Sequence, residues 1–192
     1  MTEKTARIVS SEDERLILVD PDDVETGVLS KAECHDGQGR LHRAFSLFLF
    51  NARGDLLLQQ RASGKRLWPG FWSNSCCSHP RHGESMELAV SRRLQDELHV
   101  RATLEYVYKF SYQASFSDLG SEHELCHVFL GRLDDEATRN ETEIEALRYV
   151  SADQLEEEFQ TEPERFTPWF KLEWQRLTGE FAETLARYTS GN

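Results

Sequence analysis

No stretch of this 192-residue chain approaches the roughly 20 consecutive apolar residues needed to span a bilayer, and mean hydropathy is −0.60. The opening residues, MTEKTARIVSSEDERLILVD, lack an apolar core ahead of a small-residue cleavage site, so no export signal is expected and the expected location is cytoplasmic. Cysteine is sparse. Four residues, Cys34, Cys76, Cys77 and Cys126, read as thiols of a reducing compartment and not as a disulfide framework. Positive charge is in deficit: 22 Lys and Arg against 34 Asp and Glu give a net charge of −12. That balance repels nucleic acid and anionic membrane, leaving a small molecule as the expected partner of a monomer or weak homodimer. Internal repeats, low-complexity tracts and interdomain linkers are also missing. One domain over residues 1–192 is therefore expected, with about the first 14 residues and the last few flexible.

The patterning that is present is mostly strand-like. Ala44 to Phe50 is apolar and aromatic, Asn51-Ala-Arg-Gly-Asp55 has turn chemistry, and Leu56 to Gln60 follows, which predicts a hairpin. In RASGKRLWPGFW, the Trp68-Pro69-Gly70 step should turn the chain sharply into Ser-Asn-Ser-Cys-Cys-Ser-His-Pro, residues 73–80. Met86, Val90, Leu94 and Leu98 at four-residue spacing predict an amphipathic helix over 85–98. Strands are expected at 103–113, 122–131 and near 146–150, with 134–143 as a loop and a helix at 151–159. From Pro168, the spacing of Phe170, Trp174, Leu177, Phe181 and Leu185 predicts one long terminal helix packed on the sheet.

The chemistry concentrates in two short segments. If Ser75 to His79 runs extended, alternation puts Cys77 and His79 on one face; the same rule puts Glu122 and Glu124 together on the strand Glu-His-Glu-Leu-Cys, 122–126. With His35 and His42 these make a nitrogen and oxygen donor set suited to a borderline divalent ion such as Zn²⁺ or Mn²⁺. Taken singly, each histidine is more ordinarily a surface or hydrogen-bonded residue. His123 and His127 fall on the opposite face of the strand and are left out, as are His82 and His99. Cys77 lies between the turn and His79, at a rim where a thiol can meet substrate, while Cys76 should point the other way. The ordinary alternative for Cys77 is a small buried hydrophobe. Lys31 and the cluster Arg61, Lys65 and Arg66 could concentrate positive charge against an anionic ligand, or could be solvated surface.

The segments GRLHRAFSLFLFNARGDLLLQQRASGKRLWPGFWSNSCCSHP and EHELCHVF resemble type I isopentenyl diphosphate isomerase, of the Nudix superfamily, and the likeness runs from about Leu16 to about Trp174. The Nudix box, G-x5-E-x7-R-E-U-x-E-E-x-G-U, can be laid over 78–100 with Glu84, Arg92, Leu94, Glu97 and Val100 in register. Ser78 and His99 replace its glycines, Arg93 replaces its first paired glutamate, and Asp96 another acid. These departures weaken a hydrolase's carboxylate cluster, which must hold metal ions near an attacking water. The resemblance implies a Nudix-like α/β/α sandwich of the α+β class, a mixed sheet between helices with extra N- and C-terminal elements, and the pocket at one end. It also implies interconversion of isopentenyl and dimethylallyl diphosphate.

By the same resemblance, His35, His42, His79, Glu122 and Glu124 match the family's metal ligands, the ion being Mn²⁺, Zn²⁺ or Mg²⁺. Glu97 matches the carboxylate for a Mg²⁺ that accompanies the diphosphate. Cys77 and Glu124 match the acid–base pair, Lys31, Arg61 and Lys65 the diphosphate clamp, and Trp72, Tyr112 and Trp169 the aromatic lining. The chemistry suits such a set, because a carbocation must be made by an acid, quenched by a base on its other side and kept from water in between. Aromatic faces stabilise such a cation by about 2 kcal/mol or more when desolvated. Three rivals are a Nudix-type diphosphate hydrolase, a structural zinc-binding module and a thiol-dependent acyltransferase.

Overall fold

The strand His42–Phe50 is buried on both faces along almost its whole length, which marks it as the centre of a sheet covered on two sides. The computed structural model describes residues 7–191. Its elements begin with β1 (Arg15–Val19), β2 (Glu25–Ser30), α1 (Lys31–His35), β3 (His42–Phe50) and β4 (Leu56–Arg61). Next come β5 (Trp72–Ser73), β6 (Cys76–Ser78), α2 (Met86–Leu98), β7 (Leu104–Phe116), β8 (Gly120–Arg132) and β9 (Ile144–Val150). The chain closes with α3 (Ala152–Thr161), a 3₁₀ turn at Pro163–Arg165, α4 (Pro168–Gly179) and α5 (Ala182–Thr189). No helix among the described residues is long and apolar enough to cross a membrane.

The sheet is mixed: β3 runs parallel to β8 over its full length, β8 is antiparallel to β7, and β4 is antiparallel to β9. Alternation along β3 divides the core. Ala44, Phe48 and Phe50 face α4, where Trp174 is the largest fully buried side chain, while Phe45, Leu47 and Leu49 face Val90, Leu94 and Leu98 of α2. The result is a helix layer on each side of the sheet, as expected.

The expected hairpin forms but is prised apart. β3 and β4 pair only at Phe50 and Leu56; below that, β6 pairs with β3 and β5 with β4, so the segment 72–78 fills the gap between the arms. Its buried polar run holds both sides. Ser75 Oγ accepts from Leu49 N–H at 2.8 Å and donates to the Leu57 carbonyl at 2.6 Å, standing in for missing ladder bonds.

The single terminal helix is not observed; α4 stops at Gly179 and α5 restarts at Ala182. Glycine is a poor helix former, and leaving the helix at Phe181 lets its ring stack on Tyr108 at 4.6 Å while Leu185 still reaches the core. β1, β2 and α1 were not anticipated. Of the segments expected to be flexible, residues 1–6 and 192 lie outside the described residues, whereas residues 7–14 run irregularly across the pocket rim with their carbonyls accepting hydrogen bonds from Arg93 and Asn140.

Candidate active site

Four elements deliver the donor set. α1 is one short helix with a capping box, Ser30 accepting from Glu33 N–H while the Glu33 carboxylate accepts from Ser30 N–H, and it places Lys31 and His35 one turn apart. Gly120 lets β8 pass beneath: at φ 145° its built Cβ would lie 2.3 Å from the His35 carbonyl oxygen. His42 opens β3 directly beside Glu124 of β8, which in turn lies opposite Tyr112 of β7, so the three form one row across three strands. Glu122 is two residues back on the same face, and His79 follows β6. The alternation expected for 122–127 holds: His127 points to the other face, where it pairs with Asp23 at 2.9 Å.

The five donor atoms of His35, His42, His79, Glu122 and Glu124 lie within 4.8 Å of one another, and all five residues are buried. His35 Nδ1 lies 2.6 Å from the Lys31 carbonyl and His42 Nδ1 2.7 Å from the Arg40 carbonyl, which fixes those N–H groups outward and turns both Nε2 atoms inward. His42 Nε2 is buried with no hydrogen-bond partner, and Glu122 Oε2, equally buried, has His35 Nε2 beside it at 2.8 Å. Donors converging on one centre, one of them orphaned, fit a divalent metal ion.

The electrostatics say the same. Burial works against charge on His35, but Glu122, 2.8 Å away, outweighs it and lifts the imidazole pKa to about 9. Burial and the neighbouring His79 and His35 push His42 down to about 3, and burial and His35 hold His79 well below its ordinary value. Glu124 is raised to about 7 by burial and by Glu122, while Glu122 itself, despite burial, is lowered by His35. Two carboxylates this close keep both charges only with positive charge beside them; otherwise one takes up a proton, as the raised pKa of Glu124 shows.

Glu124 also accepts from Tyr112 Oη at 2.7 Å and lies 2.8 Å from His79 Nε2. Cys77 sits opposite Ser46 in the ladder, on the face that carries His42, and opens into the same pocket as Glu124, Tyr112 and Trp169. Burial drives its pKa to about 12, so it is a thiol at neutral pH. Cys76 is fully buried against the α2 layer, as expected.

Lys31, Arg61 and Lys65 line the pocket, joined by Arg66 and Arg93. The Arg61 guanidinium donates to the Leu67 and Trp68 carbonyls and lies 5.3 Å from the Trp169 ring centre, so it organises the 62–71 loop as well as facing the cavity. Two expected residues are placed differently. Trp72 does not line this pocket; it packs in the core under Arg148, whose guanidinium is 4.5 Å from its ring, because β5 turns that side chain away from the cavity. Glu97 lies one layer behind the wall, its carboxylate ion-paired with Arg93. Sequence reasoning missed Glu143, buried and paired with Lys65 and Arg93, and the rim residues Ile8, Ser10 and Glu12. Glu143 sits in a stretch that reads as an acidic loop, and nothing local separates it from its neighbours.

A family model described as the NUDIX domain matches residues 40–170. The isopentenyl-diphosphate Delta-isomerase 1 of Photorhabdus laumondii is 43% identical over 163 residues, covering 84% of this chain and 93% of that protein. The isopentenyl-diphosphate Delta-isomerase of Serratia proteamaculans is 44% identical over 175 residues, covering 91% and 97%. Among solved structures, a Deinococcus radiodurans protein has a TM-score of 0.66 at 21% identity, covering 91% of this chain and 99% of its own, a likeness of fold.

Proposed function

The chain belongs to the NUDIX-domain family and, within it, to the isopentenyl-diphosphate Delta-isomerases, and on that premise we propose how its pocket moves a double bond. It is an isomerase acting on isopentenyl diphosphate. The product in our reading is dimethylallyl diphosphate, made in the cytoplasm for isoprenoid biosynthesis by a domain that takes in the whole chain.

Protonation of the substrate's terminal alkene carbon, C4, leaves a tertiary cation at C3, and loss of a proton from C2 completes the shift. Glu124 serves C4 and Cys77 serves C2. The observation that supports this pair as the acid and base is that both open into one pocket, with Tyr112 and Trp169 also lining it. Tyr112 orients the Glu124 carboxyl by its hydrogen bond, and burial, with Glu122 beside it, raises the proton affinity of that carboxyl so that it can hold a proton near neutral pH. The Trp169 and Tyr112 rings, their centres 6.2 Å apart, exclude water and offer π faces to the cation.

A divalent ion, Mn²⁺, Zn²⁺ or Mg²⁺, held by His35, His42, His79, Glu122 and Glu124, would supply a fixed positive charge that sets the orientation and acidity of Glu124. Lys31, Arg61 and Lys65 bind the diphosphate. Glu97 would hold a Mg²⁺ accompanying it, which requires the Arg93 guanidinium to pass from Glu97 to the diphosphate; Arg93 already borders the cavity.

Incubation of metal-replete, reduced protein with isopentenyl diphosphate in D₂O should place deuterium on the methyl carbon that arises from C4, read by NMR. Allylic product without solvent deuterium would exclude protonation from an exchangeable carboxyl.

A further inference from the structure

Every cation bordering the pocket already has an internal partner, and the partners are not equivalent. Lys65 and Arg93 are held by Glu143 and Glu97, whose side chains are 4% and 2% exposed. Lys31 is answered instead by the irregular segment at the rim, which also approaches Arg66, although Arg66 Nη2 already donates to Asp36 Oδ1 at 2.5 Å and to the Leu119 carbonyl at 2.8 Å. Lys31 Nζ donates to Ser10 Oγ at 2.6 Å and lies 3.7 Å from Glu12 Oε1, while Arg66 Nη1 lies 3.8 Å from Glu12 Oε2. Glu12 thus bridges two cations from different elements, and it lines the pocket with them. Its side chain is 51% exposed, and neither contact reaches hydrogen-bond distance.

Parting a buried, well-aligned pair costs far more than parting a half-exposed one. An arriving dianionic or trianionic group would therefore displace Glu12 well before Glu143 or Glu97. We propose that Glu12 is an internal counter-anion of the diphosphate clamp, one that balances Lys31 until the substrate diphosphate replaces it. It sets affinity for substrate and takes no part in proton transfer. The inference rests on the reading of Lys31 as a diphosphate ligand. Glu12 can act this way because its backbone is anchored independently of its side chain: the Glu12 carbonyl accepts from Ala32 N–H at 3.0 Å, and the Glu14 carbonyl accepts from Lys31 N–H at 2.8 Å.

The test is steady-state kinetics with isopentenyl diphosphate at low ionic strength on wild type, Glu12→Gln, Glu12→Asp, Lys31→Ala and Lys31→Ala/Glu12→Gln. Removing one weak competing pair should lower KM about two- to fivefold in Glu12→Gln, with kcat within about twofold of wild type and Tm unchanged. Glu12→Asp, which keeps the charge, should return KM toward wild type. Lys31→Ala should raise KM about tenfold or more, and in that background Glu12→Gln should give a smaller fall. If Lys31→Ala raises KM but Glu12→Gln leaves it unchanged or raises it, the counter-anion role is wrong while the clamp stands. If Lys31→Ala leaves KM unchanged, the clamp reading fails and takes this inference with it.

Discussion

Glu124→Gln separates the proton-donating role of this residue from everything else it does. The amide can keep both of the local contacts: its oxygen accepts from Tyr112 Oη, 2.7 Å away, and its NH₂ can donate to His79 Nε2, 2.8 Å away. It also removes a negative charge that lies beside Glu122 in a dry site. The metal-free variant should therefore melt no lower than wild type; at this chain length even 1 kcal/mol would move Tm by only about 2–4 °C. Turnover should behave differently. Loss of a general acid or base costs about two to four decades, equivalent to roughly 3–5 kcal/mol of transition-state stabilisation. KM should stay within a few-fold, because the clamp residues Lys31, Arg61 and Lys65 lie elsewhere in the pocket. An amide is a weaker metal ligand than a carboxylate, so the kinetics must be run at saturating divalent ion with bound metal measured alongside. If kcat recovers to within tenfold of wild type once the metal site is full, Glu124 is a ligand alone and the acid–base assignment is refuted.

Cys77→Ala should abolish turnover with Tm and metal content intact, whereas Cys76→Ala, at a fully buried position facing α2, should keep turnover and lose about 1 kcal/mol of stability; equal kinetic loss from both would point to packing. His42→Ala should lower bound divalent metal, measured by elemental analysis, and His123→Ala should not, since His123 lies on the other face of β8 from Glu124. Asp23 gives the pH test: burial alone would raise its pKa, but Arg43, Lys109 and His127 together hold it below the usual carboxylate value. A depressed carboxylate contributes stability that is present above its unfolded pKa, about 3.9, and lost as pH falls through the folded value. Asp23→Asn, which tolerates the observed φ of 70°, should therefore lower Tm at neutral pH, and the gap to wild type should close below about pH 4.

What could be read from the chain, and what could not, divides along sequence distance. The α2 helix, the β3 and β4 arms and the faces of 122–127 follow from local periodicity, and the structure has them in the expected register. The insertion of 72–78 between those arms depends on Ser75 bonding to residues 26 and 18 positions away, which no local pattern encodes. Trp72 was misplaced for that reason: its side-chain direction is set by β5 pairing with Gln59 and Gln60. α1 did leave a signal. Ser30-Lys-Ala-Glu33 has the capping-box spacing, and at five residues the helix is too short for periodicity to show it. The break at Gly179 was likewise visible as a glycine, but the apolar spacing continues across it because both helices pack on the same face of the sheet.

The degenerate Nudix box acquires a physical meaning once its side chains are placed. Glu84 is taken by Arg92 at 2.7 Å, and Glu97 by Arg93, which stands where the box has a glutamate and also reaches Glu143 at 3.3 Å. One charge reversal thus does two things: it removes a carboxylate from the helix and it neutralises Glu97. A helix in that state is poorly suited to gathering several metal ions around an attacking water. The orphaned donor lies instead on the sheet, at His42 Nε2, beside the carboxyl group held by Tyr112. Moving part of the cation requirement from α2 to β3 and β8, with only the diphosphate's own Mg²⁺ left to Glu97, places fixed charge next to a proton donor. That relocation suits a reaction whose bond changes occur in the hydrocarbon and leave the diphosphate intact.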